Sequence, residues 1–71
     1  MEIKEGQLLE VDHEESGKWI GRATRDFDTR KENFLPLTLA QEKSVELRNG
    51  NLKHNGETMS ALNGFCTIKK I

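Results

Sequence analysis

The segment NGNLKHNGETMSALNG, residues 49–64, contains three Asn-Gly dipeptides in close succession. Asn-Gly is the strongest short-range signal for a β-hairpin, because both residues tolerate the positive φ angles of a type I′ turn. Three such turns predict a run of short antiparallel strands. The predicted fold class is therefore mainly β: a small antiparallel meander or a partly open barrel.

Two-residue loops at these turns would also set the pairing of the strands. Counting outward from each turn brings four apolar residues into one row across four strands, namely Leu47, Leu52, Met59 and Ile68. Val45, Ala61 and Cys66 fall on the same face, and mostly polar side chains fall on the other. Because a shift of one residue would mix the two faces, this separation supports the predicted register.

Two further strands are predicted in the first half, over residues 7–13 and 18–25. A four-residue turn over residues 14–17 joins them and ends in a glycine. Closing the hairpin over this turn places His13 opposite Lys18. Since successive side chains of a strand alternate between faces, Trp19 then lies on the outer face.

The segment from Phe34 to Ala40 contains three leucines at alternate positions, a pattern typical of a half-buried strand. Pro36 has no N–H to donate, so this strand is predicted to lie at an exposed sheet edge or to carry a bulge. A helix over residues 36–48, with Pro36 in its first turn, is the alternative.

Short strands, tight turns and a charged loop after the first hairpin are together loosely similar to small SH3-like or OB-like barrels. The resemblance is one of shape, since the chain carries no defining motif of either family. The length of 71 residues predicts one small β domain over residues 1–71. A domain of this size buries only about 60% of its unfolded surface, so the core is expected to be thin.

The composition argues against several classes of protein. One cysteine, Cys66, cannot form an intrachain disulfide, and with only two histidines it offers no zinc site. We therefore expect no metal, no cofactor and a reducing, cytoplasmic setting. The charged N-terminus lacks the apolar core of a signal peptide, and no apolar run is long enough to span a membrane, so no membrane partner is expected.

The predicted binding surface combines aromatic and cationic side chains of the first hairpin and of the charged loop after it: Trp19, Arg22, Arg25, Phe27, Arg30 and Lys31. Cations around an exposed aromatic ring also hold single-stranded nucleic acid, by stacking and phosphate pairing. An alternative is therefore a nucleic-acid-binding module that uses the same surface with Lys53 and Lys69. The other interpretation of Trp19 is a core anchor, because a thin core needs its largest apolar side chain.

Charge is unevenly distributed along the chain. Residues 1–16 contain six acidic residues and one lysine, a net charge of −5, whereas the whole chain has a net charge of −1. This acidic stretch, from Glu2 to Glu15, could mimic a nucleic-acid backbone toward a basic target. An inhibitor of this kind is the second alternative.

No set of residues points to catalysis, because His13 and His54 lack the neighbours of a catalytic triad. The chain is therefore not expected to be an enzyme. The predicted function is a small non-enzymatic binding module that acts through a protein partner or through self-association as a homo-oligomer.

Overall fold

The computed structural model describes the whole chain, Met1 to Ile71, as nine short strands with no helix. The predicted mainly β, antiparallel class is confirmed. The alternative helix over residues 36–48 is wrong, because two strands occupy that segment. The strand bounds are β1 Glu2–Ile3, β2 Leu8–His13, β3 Gly17–Ala23, β4 Phe27–Asp28, β5 Leu37–Leu39, β6 Val45–Glu46, β7 Leu52–Lys53, β8 Thr58–Met59 and β9 Cys66–Lys70.

Five of the strands form one large antiparallel sheet in the order β8-β5-β3-β2-β9. Strands β1 and β4 form a small ribbon, and β6 and β7 form a second one. Neighbours in the large sheet include strands that are far apart in the sequence, since β2 pairs with β9 and β5 pairs with β8. No helix long and apolar enough to cross a membrane is present.

Gly17 makes the turn between β2 and β3 one residue shorter than predicted. It pairs with His13 and has a φ of 88°, which residues with a Cβ rarely adopt. Val11 consequently faces Trp19, and the predicted pairing of His13 with Lys18 is wrong by one residue.

This shift of one residue moves the side chains of β3 to the opposite faces. Trp19 lies on the inner face and is only 2% exposed, so its predicted outer position is wrong and its role as a core anchor is confirmed. Its indole Nε1 donates a hydrogen bond to Ser16 Oγ at 2.9 Å, which satisfies the polar atom of the ring.

The Asn-Gly dipeptides do form turns, but the turns are not of type I′. The glycine of each dipeptide has a positive φ, whereas no other residue type does, so each asparagine has a negative φ. At the first turn, the N–H of Leu47 donates to the carbonyl of Asn51 at 2.7 Å. The loop therefore has three residues, Arg48 to Gly50, and the register differs by one from that of a two-residue loop.

The predicted row of four apolar residues is not formed. Leu52 pairs with Glu46 in the β6–β7 ribbon and is 56% exposed. Met59 and Ile68 do not face each other, because β8 pairs with β5 and β9 pairs with β2. Isolated hairpins of such short strands are only marginally stable. Strands β8 and β9 instead join the larger sheet that contains β2, β3 and β5.

Pro36 does not mark a sheet edge, so the predicted edge at residues 34–40 is wrong. Strand β5 lies between β3 and β8. The N–H and the hydroxyl of Thr24 both donate to the carbonyl of Pro36, at 2.9 and 3.1 Å. Pro36 therefore sits just before β5, where its missing N–H removes one bond from the end of the ladder.

One core of twelve buried apolar residues covers the inner face of the large sheet. Ile3 of β1, Phe27 of β4 and Leu47 after β6 belong to this core, so both ribbons pack against the same face. His13 is the one polar or charged residue buried with them, at 4% exposure. We call the opposite face of the large sheet, which faces solvent, the outer face.

Candidate functional site

The aromatic residues of the predicted binding surface are inside the protein. Trp19 is 2% exposed and Phe27 is 7% exposed, and both belong to the core. A ring buried in this way cannot stack on a base or contact a partner from the surface. The structure therefore leaves only the four cationic residues of the predicted surface exposed.

Two of these cations lie near the end of β3. Arg22 is exposed on the outer face, where one Nη donates to the carbonyl of Gly6 at 3.3 Å. Arg25 is paired with Glu32, since Nη1 and Oε1 are 2.9 Å apart. This hydrogen bond lowers the pKa of the Glu32 carboxyl and raises the pKa of Arg25.

The other two cations belong to the loop after β4. Arg30 donates from Nη2 and Nε to the carboxylate of Asp28, at 2.8 and 3.1 Å. These bonds, with one from the Arg30 backbone N–H, hold the pKa of Asp28 well below its ordinary value. Lys31 is exposed beside Glu2 and Asp26 in an open groove. The loop thus neutralises much of its own positive charge.

Asn63 fixes this loop against the second half of the chain, which the sequence did not indicate. Its side-chain amide donates to the carbonyls of Thr29 and Glu32, and its backbone N–H donates to that of Asn33. Asparagine within an Asn-Gly dipeptide signals a turn, and nothing in the local sequence points to a second contact of its amide. These three hydrogen bonds hold the charged loop in place between Thr29 and Asn33.

The two further lysines of the nucleic-acid alternative lie on different sheets. Lys53 is half-buried on β7, and Lys69 is exposed on β9. Lys69 lies opposite Glu10 of β2 on the outer face, and Lys18 of β3 lies opposite Asp12 of β2. Glu10 and Asp12 of β2 thus each have one basic neighbour across the sheet, which offsets part of their negative charge.

The buried side chain of His13 lies between two backbone amides. Its Nδ1 lies 3.1 Å from the backbone N of Glu15, and its Nε2 lies 3.3 Å from that of Leu62. The imidazole thus links the β2–β3 turn to the segment before β9. Both ring nitrogens of His13 thus face backbone amides, although the ring also lines the cavity between the β6–β7 ribbon and the large sheet.

The other side chains capable of chemistry form no larger cluster. His54 Nδ1 lies 2.6 Å from Ser44 Oγ on the surface, but the carboxylate of Glu57 bonds the backbone N–H of His54 and does not orient its ring. Cys66 is half-buried, and burial raises the pKa of its thiol. No three His, Cys, Asp or Glu residues are placed to hold a metal ion.

A cavity of about 250 Å³ lies where the β6–β7 ribbon meets the large sheet. Its lining is mostly polar and includes Ser16, Asn51, Lys53 and Ser60. Every buried side-chain polar atom of the protein has a hydrogen-bond partner, so no buried polar group marks this cavity as a ligand site. The cavity therefore does not identify a binding site.

The free edge of β9 is the remaining candidate. The backbone N–H of Glu14 donates to the carbonyl of Phe65 at 2.9 Å, and the N–H of Ile71 donates to the carbonyl of Leu8 at 3.3 Å, at the two ends of this strand. Because bonding direction alternates along an antiparallel strand, the even-numbered residues of β9 point their N–H and C=O groups away from β2. No strand lies on that side. The outward-facing residues are Cys66, Ile68 and Lys70.

Exposed apolar side chains flank this edge. Phe65 is 44% exposed and Ile71 is 66% exposed, and both lie on the outer face at the two ends of β9. Phe34 and Leu52 are also exposed, but Phe34 forms an isolated bridge with Leu62 and Leu52 belongs to β7. The β9 edge, defined as residues 65–71, thus combines unpaired backbone groups with two exposed apolar side chains.

Comparisons of the chain with protein-family models, with curated proteins and with solved structures gave no match.

Proposed function

We propose that this protein is a small non-enzymatic binding module that recognises a protein by adding a strand to the β9 edge. One observation carries the proposal: β9 is a five-residue edge strand whose outward backbone groups have no partner. An extended segment placed there gains main-chain hydrogen bonds, and its side chains meet those of β9.

The side chains around the edge support protein recognition. Phe65 and Ile71 give an added strand apolar surface to cover on the outer face, and Ile68 is half-buried on the inner face. Proteins usually protect exposed edges with lysine. Here Lys69 lies opposite Glu10 within the same sheet, which reduces its repulsion of an incoming strand.

We place this activity in a reducing compartment such as the cytoplasm. The one cysteine is a free thiol beside the proposed interface, and burial raises the pKa of that thiol. A raised pKa leaves less thiolate at a given pH than a free cysteine has, which slows reactions of this thiol.

The test is affinity capture from the source lysate, with and without nuclease, using the wild type and three variants of the chain. Ile68→Pro removes an outward N–H without removing a bond to β2, and Phe65→Lys places a charge on the exposed flank. Leu52→Lys changes an equally exposed apolar residue away from the edge and serves as the control. Trp19 fluorescence confirms that each variant is folded.

We expect the wild type and Leu52→Lys to bind the same nuclease-resistant protein or a further copy of the chain, and the two edge variants to lose it. Binding that survives both edge variants would overturn the proposal. So would binding that disappears with nuclease treatment.

A further inference from the structure

We infer that the occupant of the β9 edge is a second copy of this chain, paired antiparallel through its own β9 about a two-fold axis at Ile68. The inference rests on the proposed function and names its partner. It follows from which residues an antiparallel neighbour would bring together.

Only certain registers are open to a second β9. A hydrogen-bonded pair needs outward-facing residues on both strands, so an even-numbered residue of one copy must face an even-numbered residue of the other. Ile68 can therefore lie opposite Cys66, Ile68 or Lys70 of the second copy. More distant shifts leave few paired residues and few bonds.

The register centred on Ile68 pairs the exposed apolar residues with each other. Phe65 of each copy then faces Ile71 of the other, and the two-fold axis repeats this contact. Ile68 faces Ile68 on the inner face. Directly opposed apolar side chains in a sheet stabilise strand pairing, so the residues left exposed in the single chain are covered by their own counterparts.

The same register keeps the lysines apart. Lys69 faces Thr67 of the other copy, and Lys70 faces Cys66. Shifting so that Ile68 faces Lys70 places Lys69 directly opposite Lys69, and like charges in that position oppose pairing. Shifting so that Ile68 faces Cys66 places Lys69 opposite Phe65 and leaves Ile71 beyond the paired segment.

Registers centred further out are also less favourable. With Lys70 at the axis, two copies of Lys70 face each other. With Cys66 at the axis, Phe65 faces Thr67, and both Lys69 and Ile71 lose their partners. Complementarity of charge and of apolar surface therefore selects the Ile68-centred register among those open to β9.

The first test is sedimentation equilibrium of the full chain over a range of concentrations. We expect a reversible dimer whose affinity Phe65→Lys lowers by about tenfold. Because the dimer is symmetric, this one substitution removes two cross-strand contacts. Ile68→Pro should give a monomer, and Leu52→Lys should dimerise like the wild type. A chain that stays monomeric at every concentration would overturn the inference.

The second test reads the register with single cysteines under mild oxidation. Opposed residues of paired strands have Cα atoms about 4.5 to 5.5 Å apart, which a disulfide can span. In a Cys66→Ser background, Ile68→Cys should form the cross-linked dimer, whereas Thr67→Cys and Lys69→Cys should not. In the wild type, a disulfide between the two copies of Cys66 would indicate a register in which Cys66 lies at the two-fold axis. Preferred cross-linking at 66, 67 or 69 would overturn the Ile68-centred arrangement.

The two proposals fail in different ways. If the chain is monomeric but binds another protein through the β9 edge, the second copy is excluded as the occupant and the proposed function stands. If the dimer forms but is unaffected by Ile68→Pro and Phe65→Lys, its interface lies elsewhere and the second copy is excluded as the occupant of the β9 edge. The proposed function is then wrong as well if the captured protein also binds both edge variants.

Discussion

The indole of Trp19 lies against the backbone of Gly21, two residues along the same strand. A Cβ placed on Gly21 would come within 2.8 Å of Cζ3 of Trp19, a distance too short for two carbon atoms. Gly21 does not have a positive φ, so its lack of a side chain serves packing and not backbone conformation. The only tryptophan of the core is accommodated because its near neighbour has no side chain.

Gly21→Ala should therefore destabilise the protein through overpacking. We expect the free energy of unfolding to fall by about 1–3 kcal/mol, the usual cost of an extra carbon in a packed core. Urea unfolding followed by circular dichroism measures the loss. The cost should be smaller in a Trp19→Phe background, because the smaller ring lacks Cζ3. An equal cost in both backgrounds would show that the indole is not the cause.

His13→Phe should destabilise the protein although it keeps an aromatic ring in the core. A neutral imidazole has one acceptor nitrogen, so each tautomer accepts from one of the two facing amides of Glu15 and Leu62. Phenylalanine accepts from neither, and leaving a buried N–H unpaired costs about 1–3 kcal/mol.

The exposed His54 provides the control for this change, since surface substitutions usually alter stability by less than about 0.5 kcal/mol. Both variants are compared by urea unfolding at neutral pH. Equal stability of His13→Phe and His54→Phe would contradict the structural role assigned to His13.

Asp28→Asn should lower the stability at neutral pH and reduce its dependence on acid. The Arg30 hydrogen bonds, with the ammonium of Met1, hold the pKa of Asp28 below its ordinary value of about 4. A carboxyl with a lowered folded-state pKa contributes stability above the unfolded-state pKa, and that contribution is lost as the pH falls through the folded-state pKa. The variant lacks this contribution.

The measurement is urea unfolding from pH 7 down to about pH 2, the interval in which paired carboxylates lose their effect. Asp12→Asn is the matched control, because Asp12 makes no ion pair. The wild type and Asp12→Asn should lose stability more steeply with acid than Asp28→Asn. Parallel curves for all three proteins would show that the Asp28–Arg30 pair contributes nothing.

Cys66 should react slowly with an alkylating reagent. Burial raises the pKa of its thiol, so less of the reactive thiolate is present at a given pH than for a free cysteine. Alkylation by iodoacetamide, measured against pH, should show its midpoint shifted upward in the folded protein. The shift should disappear in denaturant. A midpoint at or below that of free cysteine would contradict the assigned environment.

The candidate site was less accessible to prediction than the fold class. A free edge was predicted at residues 34–40 from Pro36, but that segment lies between two strands, and the edge strands of the large sheet are β8 and β9. Whether a strand lies at an edge depends on the order of strands in the sheet. A proline in the sequence shows only that one backbone N–H is missing. The predicted register of the first hairpin similarly placed Trp19 on the outer face, because Gly17 was assigned to the loop although it belongs to the strand.

By itself the sequence determined the antiparallel β class, the positions of the turns and most of the strands β2, β3 and β5, because these depend on local alternation and on glycine conformation. Only the tertiary structure decided which strands pair, and hence that Trp19 and Phe27 are buried and that β9 is free on one side. The physical reason is that side-chain period in a strand is two. A loop shorter or longer by one residue, at Gly17 or at Gly50, reverses the faces, and that choice is made by the packing of the whole sheet.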